Sequence, residues 1–192
     1  LPGKILEIRW HGRGGQGVKT AAMLFAEAAF EGGKYIQGFS DYGPERSGAP
    51  IQGFTRLSDG PIYLHNFITD PDVVVVLDPT LLGTVSVTEG LKEGGKVLVN
   101  SAHDPGDLAA KLGVDKEQVF VVDAKKISLE VMGRDMPNAP MIGALVKIVG
   151  IVELPWVNQT FEKKFGAKSE KIVADNVAAV KRAYEEVRGA AS

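Results

Sequence analysis

From Trp10 the chain reads Trp10-His11-Gly12-Arg13-Gly14-Gly15-Gln16-Gly17, with four glycines among residues 12–17. Glycine can take positive φ, and without a Cβ its backbone can come close to a ligand. Arg13 and Lys19 add positive charge to the same stretch. If a helix starts just beyond Gly17, its first N–H groups have no partner within the helix and lie at the positive end of its dipole. That is an anion site. The chemistry these residues suggest is therefore the binding of a phosphate-bearing ligand. Gly12, Gly14 and Gly17 fit the G-x-G-x-x-G spacing of dinucleotide-binding turns. The usual acidic partner follows about 20 residues later, but here Asp41 comes late and Glu31 falls within the first helix. A nicotinamide dinucleotide is thus one alternative. A tight turn that only packs is another.

Other chemistry is sparse. His11, His65 and His103 are far apart, and no His-x-x-x-His or His-x-Glu spacing marks a metal site. Only His11, next to the glycines, is expected near a ligand, and no partner is evident that would make it a general base. There is no Gly-x-Ser-x-Gly elbow. Gly14 to Thr20 echoes a P-loop, but its spacing fails. The chain has no cysteine, which excludes disulfides, a thiol nucleophile and cysteine-held iron–sulfur clusters on this chain. No catalytic group and no metal site are expected.

The elements that must position the turn can be read around it. Lys4 to Arg9 reads as a strand, and Val18 to Ala29 carries apolar residues at helical spacing up to the stop at Gly32-Gly33. The glycines therefore sit at a strand-to-helix junction, with Gly14 expected at positive φ. Tyr35 to Phe39 is expected to be the second strand, parallel to the first and beside it. The segment 40–50 is a loop rich in glycine, proline and charged groups. Ile51 to Leu57 and Ile62 to Leu64 suggest a short antiparallel hairpin. Val73 to Leu77 is a continuous β-branched run, the mark of a central parallel strand, and Asp78-Pro79-Thr80 ends it at the edge where such sheets bind ligands. A helical segment from Leu81 to Leu91, a strand from Lys96 to Asn100, a helix near Gly106 to Leu112 and a strand from Gln118 to Asp123 are expected next. Helices over 138–152, 156–165 and from Ser169 onward close the chain.

The expected fold is α/β. It has a mostly parallel, Rossmann-like sheet with helices on both faces, a short antiparallel insertion near 51–64, and a single domain over residues 1–192. Composition agrees, with 44% hydrophobic and 24% charged residues. A net charge of −2 without a Lys/Arg tract argues against a nucleic-acid partner. The absence of a signal pattern or long apolar run predicts a cytoplasmic chain with no membrane contact.

Gly12-Arg13-Gly14-Gly15-Gln16-Gly17, followed by Tyr42-Gly43-Pro44-Glu45-Arg46-Ser47-Gly48, resembles the gamma subunit of 2-oxoacid:ferredoxin oxidoreductases, the pyruvate-oxidising ones in particular. Asn138-Ala139-Pro140-Met141-Ile142-Gly143-Ala144 resembles an Asn-rich helix start in that family. One departure is the absence of a Met between Glu45 and Arg46 that many relatives carry. The resemblance implies a division of labour. Thiamine diphosphate and iron–sulfur clusters would sit on partner chains (alpha, beta and delta), which decarboxylate the 2-oxoacid and pass electrons to ferredoxin. The gamma chain would help hold coenzyme A. It would do so through Gly12, Arg13, Gly14, Gly15, Gln16 and Gly17, with Tyr42, Glu45, Arg46 and Ser47 as a second wall.

Overall fold

A computed structural model describes residues 4–40 and 47–190. Its elements in chain order are β1 (Leu6–Arg13), α1 (Val18–Glu31), β2 (Tyr35–Ser40), β3 (Pro50–Ser58), β4 (Val73–Val76) and β5 (Lys96–Asn100). There follow α2 (Pro105–Leu112), β6 (Val119–Val122), α3 (Ala124–Met132), α4 (Asn138–Val149), α5 (Leu154–Phe165), α6 (Glu170–Glu186) and β7 (Arg188–Gly189). The strands form one sheet in the order β2-β3-β1-β4-β5-β6-β7. β1, β4, β5 and β6 are parallel neighbours, whereas β3 and β7 run antiparallel to their partners. The expected α/β class with a mostly parallel sheet is thus what the chain adopts.

The valine run of β4 explains why the sheet is covered on both faces. Val73 and Val75 enter the core beneath α1, α3, α4, α5 and α6, and Val74 and Val76 enter a second core beneath α2. Each buried valine contributes roughly 1.5–3 kcal/mol, so period-two polarity is absent where both faces are dry. Trp10 fixes β1 to its neighbours. Its Nε1 donates to Thr55 Oγ1 at 3.0 Å, that hydroxyl donates to Ala22 O at 2.9 Å, and its ring meets Phe25 edge-on at 6.0 Å. No helix among the described residues is long and apolar enough to cross a membrane.

Several expectations need correction. β3 is antiparallel as expected, but its partners are not a strand at 62–64, because Pro50–Ser58 lies between β2 and β1. β1 and β2 are therefore parallel but not adjacent, and Ile62 to Leu64 is not a strand. The physical reason lies in β3 itself: Thr55 and Arg56 are fully buried, and Phe54 stacks on Phe39 at 5.0 Å, as a central strand requires. Pairing with β3 from Leu6↔Leu57 to Arg13↔Pro50 also carries β1 past the expected end at Arg9.

The segment from Leu81 to Leu91 is not a helix. A 3-10 turn, Pro79–Gly83, is followed by turns through the β-branched and glycine-containing residues 83–90. Finally, α3 and β7 were not anticipated. α3 starts where Asp123 accepts from Lys126 N and stops at left-handed Gly133.

Candidate functional site

β1 delivers the glycine turn to the carboxyl edge of the parallel strands. There the left-handed residues are Gly15 (φ 94°) and Gly17 (φ 78°). Gly14, expected to be one of them, instead continues the ladder toward β3. Its N–H donates to Ala49 O at 2.9 Å, and its carbonyl accepts from Gly48 N at 3.2 Å. Gly12 is glycine because the chain folds back on itself, and a Cβ there would lie 2.4 Å from Val18 Cγ2. Gly15 faces open space, with no described atom within 4 Å of where its Cβ would stand.

A polar network holds the turn. Gln16 N donates to Arg13 O at 3.1 Å, and Arg13 N donates to Gln16 Oε1 at 2.7 Å. Gln16 Nε2 then donates to Asp78 Oδ2 at 2.7 Å. The other oxygen of Asp78 accepts from Thr80 N at 2.9 Å and Thr80 Oγ1 at 2.7 Å, which caps the 3-10 turn. The Arg13 guanidinium pairs with Asp78 at 3.2 Å, donates to Thr80 Oγ1, and donates to Gly48 O at 3.1 Å. Arg13 thereby ties the turn to the end of the 40–48 loop. Burial pushes the Asp78 carboxyl up, but the hydrogen bonds from Thr80 and Gln16 and the charge of Arg13 outweigh it and hold it below the usual carboxylate range.

The turn opens on a crevice of about 540 Å³. Gly15 and Gln16 form one wall, Asp78 and Thr80 the middle, and Asn100, His103, Asp123 and Lys125 the far side. Asn100 braces the floor, donating to Leu77 O at 2.9 Å and accepting from Lys125 N at 3.3 Å. The crevice is lined by both signs of charge, with Asp78, Asp123 and Asp135 facing it beside Lys125. A cavity of about 430 Å³ at the opposite edge of the sheet is lined by four lysines. Two of them, Lys34 and Lys92, are already paired, with Asp59 and with Glu7 and Asp72 respectively, so its charge is largely compensated.

The sequence-predicted residues fall unevenly around this site. Gly15 is the exposed residue of the turn, Gln16 and Gly17 are half-buried beside it, Gly12 and Gly14 support it, and Arg13 braces it. Ser47 precedes Gly48 at the turn. Tyr42, Glu45 and Arg46 lie outside the described residues. His11 is not at the crevice. It is 2% exposed and accepts from Arg9 Nε at 3.1 Å. Burial and then the Arg9 charge lower its pKa to about 3, so it is a neutral acceptor and not a base. The histidine on the crevice wall is His103. Reasoning from sequence missed Asn100 and the partners of Asp78. The one available signal was the position of Asp78 and Asn100 at the ends of two β-branched runs.

The family described as pyruvate ferredoxin/flavodoxin oxidoreductase matches residues 7–186. Pyruvate synthase subunit PorC of Thermotoga maritima is 47% identical over 96% of both chains. The crystal structure of pyruvate oxidoreductase subunit PORC from that organism superposes with a TM-score of 0.86 at 44% identity, covering 97% of this chain and 98% of that one. The pyruvate/ketoisovalerate oxidoreductases common subunit gamma of Thermococcus litoralis is 46% identical over 94% of this chain and 96% of its own. The 2-oxoglutarate:ferredoxin oxidoreductase of Magnetococcus marinus, solved with 2-oxoglutarate, coenzyme A and succinyl-CoA, shares the fold. Its TM-score is 0.75 at 21% identity, over 95% of this chain and 31% of that longer one.

Proposed function

We propose, for a chain that belongs to the pyruvate ferredoxin/flavodoxin oxidoreductase family and is the gamma subunit of an oxidoreductase of the pyruvate synthase type, that the glycine turn binds the phosphate groups of coenzyme A in the assembled enzyme. The observation that carries this is Gly15. It is left-handed, it has open space before it, and it stands at the uncapped start of α1 on the lip of the crevice. The N–H groups of Val18 and Thr20 have no partner within α1 by helix geometry, and no acidic residue lies in its first turn. Arg13 is a brace in this reading. Its charge is offset by Asp78, and its effect on the ligand runs through the position of the turn.

In this reading Tyr42, Glu45, Arg46 and Ser47 add to the recognition of coenzyme A. The alpha, beta and delta chains supply thiamine diphosphate, iron–sulfur clusters and the path to ferredoxin. In this reading this chain, which has no cysteine, holds and orients coenzyme A beside them. A relative described as a common subunit for pyruvate and ketoisovalerate enzymes agrees with a chain that does not choose the 2-oxoacid.

A second reading, a chain that only stabilises the assembly, draws on the compensation of Arg13 by Asp78 and on the carboxylates of the far wall. Steady-state kinetics of the assembled enzyme separate the two. Gly15→Val should raise the KM for coenzyme A about tenfold or more while leaving kcat and the pyruvate KM within about twofold, the pattern of lost ground-state binding. An assembled Gly15→Val enzyme with an unchanged coenzyme A KM would leave the assembly reading standing.

A further inference from the structure

We propose that the cavity of about 430 Å³ at the opposite edge of the sheet is a second ligand site, one that takes a small aliphatic monocarboxylate. It is separate from the crevice and independent of the reading of the glycine turn. A cavity of this size falls within the range of small-molecule sites, which combine apolar walls with a few polar groups. Here the two parts are distinct. The apolar floor forms where β1 and β4 begin, at Leu6 and Val73, and where β3 ends, at Leu57. Val149, at the end of α4, and Ile151 just beyond it complete the floor. Leu57 and Val73 are buried, whereas Ile151 is 38% exposed, a large apolar side chain left open to water beside the cavity. An aliphatic chain laid on this floor removes apolar surface of both partners from water.

The polar lining selects the head group. Lys34 is paired with Asp59, and Lys92 with Asp72 at 3.0 Å and Glu7 at 3.3 Å. The other two lysines meet no carboxylate among the described residues. Lys96 Nζ donates instead to Ile148 O at 2.6 Å, a carbonyl in the last turn of α4, and keeps further N–H donors. Lys4 precedes β1 and is exposed. Against these two ammonium groups stands one lining acid with no lysine partner among the described residues, Glu93. The four lysines thus exceed Asp59, Asp72 and Glu93 by one charge, which matches a monoanion. Ser58, at the end of β3, adds a donor. It is 4% exposed, its Oγ accepts from Gly60 N at 3.2 Å, and no described acceptor takes its own proton. A hydroxyl and two ammonium groups above an apolar floor suit a carboxylate on an aliphatic chain. Glu93 and the single excess charge weigh against a dicarboxylate.

The test is a titration of the 192-residue chain with hexanoate, followed through the backbone amide signals in nitrogen-15 correlation spectra. Saturable shifts are expected for Ser58, Val73, Gly94 and Gly95, which line the cavity. Hexanamide has the same shape without the charge, and adipate adds a second carboxylate. Each should bind about tenfold more weakly than hexanoate. Two variants lie where the fold does not depend on them. Lys4→Gln, outside any element, should weaken hexanoate about threefold to fivefold, as loss of an exposed charge contact does. Ile151→Glu removes apolar floor and adds a repelling charge, and should weaken it about tenfold. The proposal is overturned if hexanoate gives no saturable shift at these four amides, if hexanamide binds as tightly as hexanoate, or if either variant keeps wild-type affinity.

Discussion

Asp78 gathers Thr80 N, Thr80 Oγ1, Gln16 Nε2 and Arg13 Nε at the end of β4. Only a carboxylate accepts from the first three and pairs with the charge of the fourth, so Asp78→Asn should turn a donor against donors and destabilise the chain by about 1–3 kcal/mol in urea unfolding. Because its folded pKa lies below the usual range, the stability Asp78 contributes is present above the unfolded carboxylate value and is lost as pH falls through the folded one. His11 acts in a higher window. Its folded pKa is about 3 against an ordinary 6.5. Below pH 6.5 the unfolded chain takes up a proton that the folded chain refuses, so stability falls progressively from there toward pH 3. The loss approaches on the order of 4 kcal/mol at the acid end. His11→Gln, which keeps an acceptor for Arg9, should flatten that slope. Urea midpoints measured between pH 4 and 7 check it, and an unchanged slope would reject the assignment. At this scale the glycine motif and the place of Asp78 were legible in the sequence. Which glycines turn left-handed was not, because Gly14 is drawn into the ladder by Gly48 and Ala49, thirty-odd residues away in the chain.

α4 crosses α6 through Gly143. A Cβ there would lie 2.0 Å from Val180 O. In an exposed helix, glycine to alanine stabilises by about 0.8–1 kcal/mol. Here backbone meets backbone, so Gly143→Ala should destabilise by about 1–3 kcal/mol. Thermal unfolding gives the sign directly. The helices with period-3.6 stripes, α1, α4 and α6, could be read from sequence because their own residues carry the pattern. β3 could not be placed, because its position depends on Phe39, Glu7 and Asn66 meeting it from other segments. The stretch 81–91 misled because its apolar residues are buried by tertiary contacts made without a helix. Its carbonyls at Val87 and Glu89 accept from buried Arg9 in place of helical partners.

The whole molecule places a strand, a left-handed turn and the start of α1 on one edge of a sheet whose opposite edge is largely charge-compensated. Trp10 and β3 hold β1, Asp78 and Arg13 hold the turn, and Gly17 lets α1 and α4 meet. Such a constellation on packed elements needs little reorganisation to receive an anion. The central claim is that coenzyme A engages this chain at the glycine turn. Hydrogen–deuterium exchange of the assembled enzyme, with and without coenzyme A, tests it most directly through peptides covering residues 13–24. The account predicts slower exchange in those peptides when coenzyme A is bound. Unchanged exchange there, at a coenzyme A concentration that saturates turnover, would contradict it.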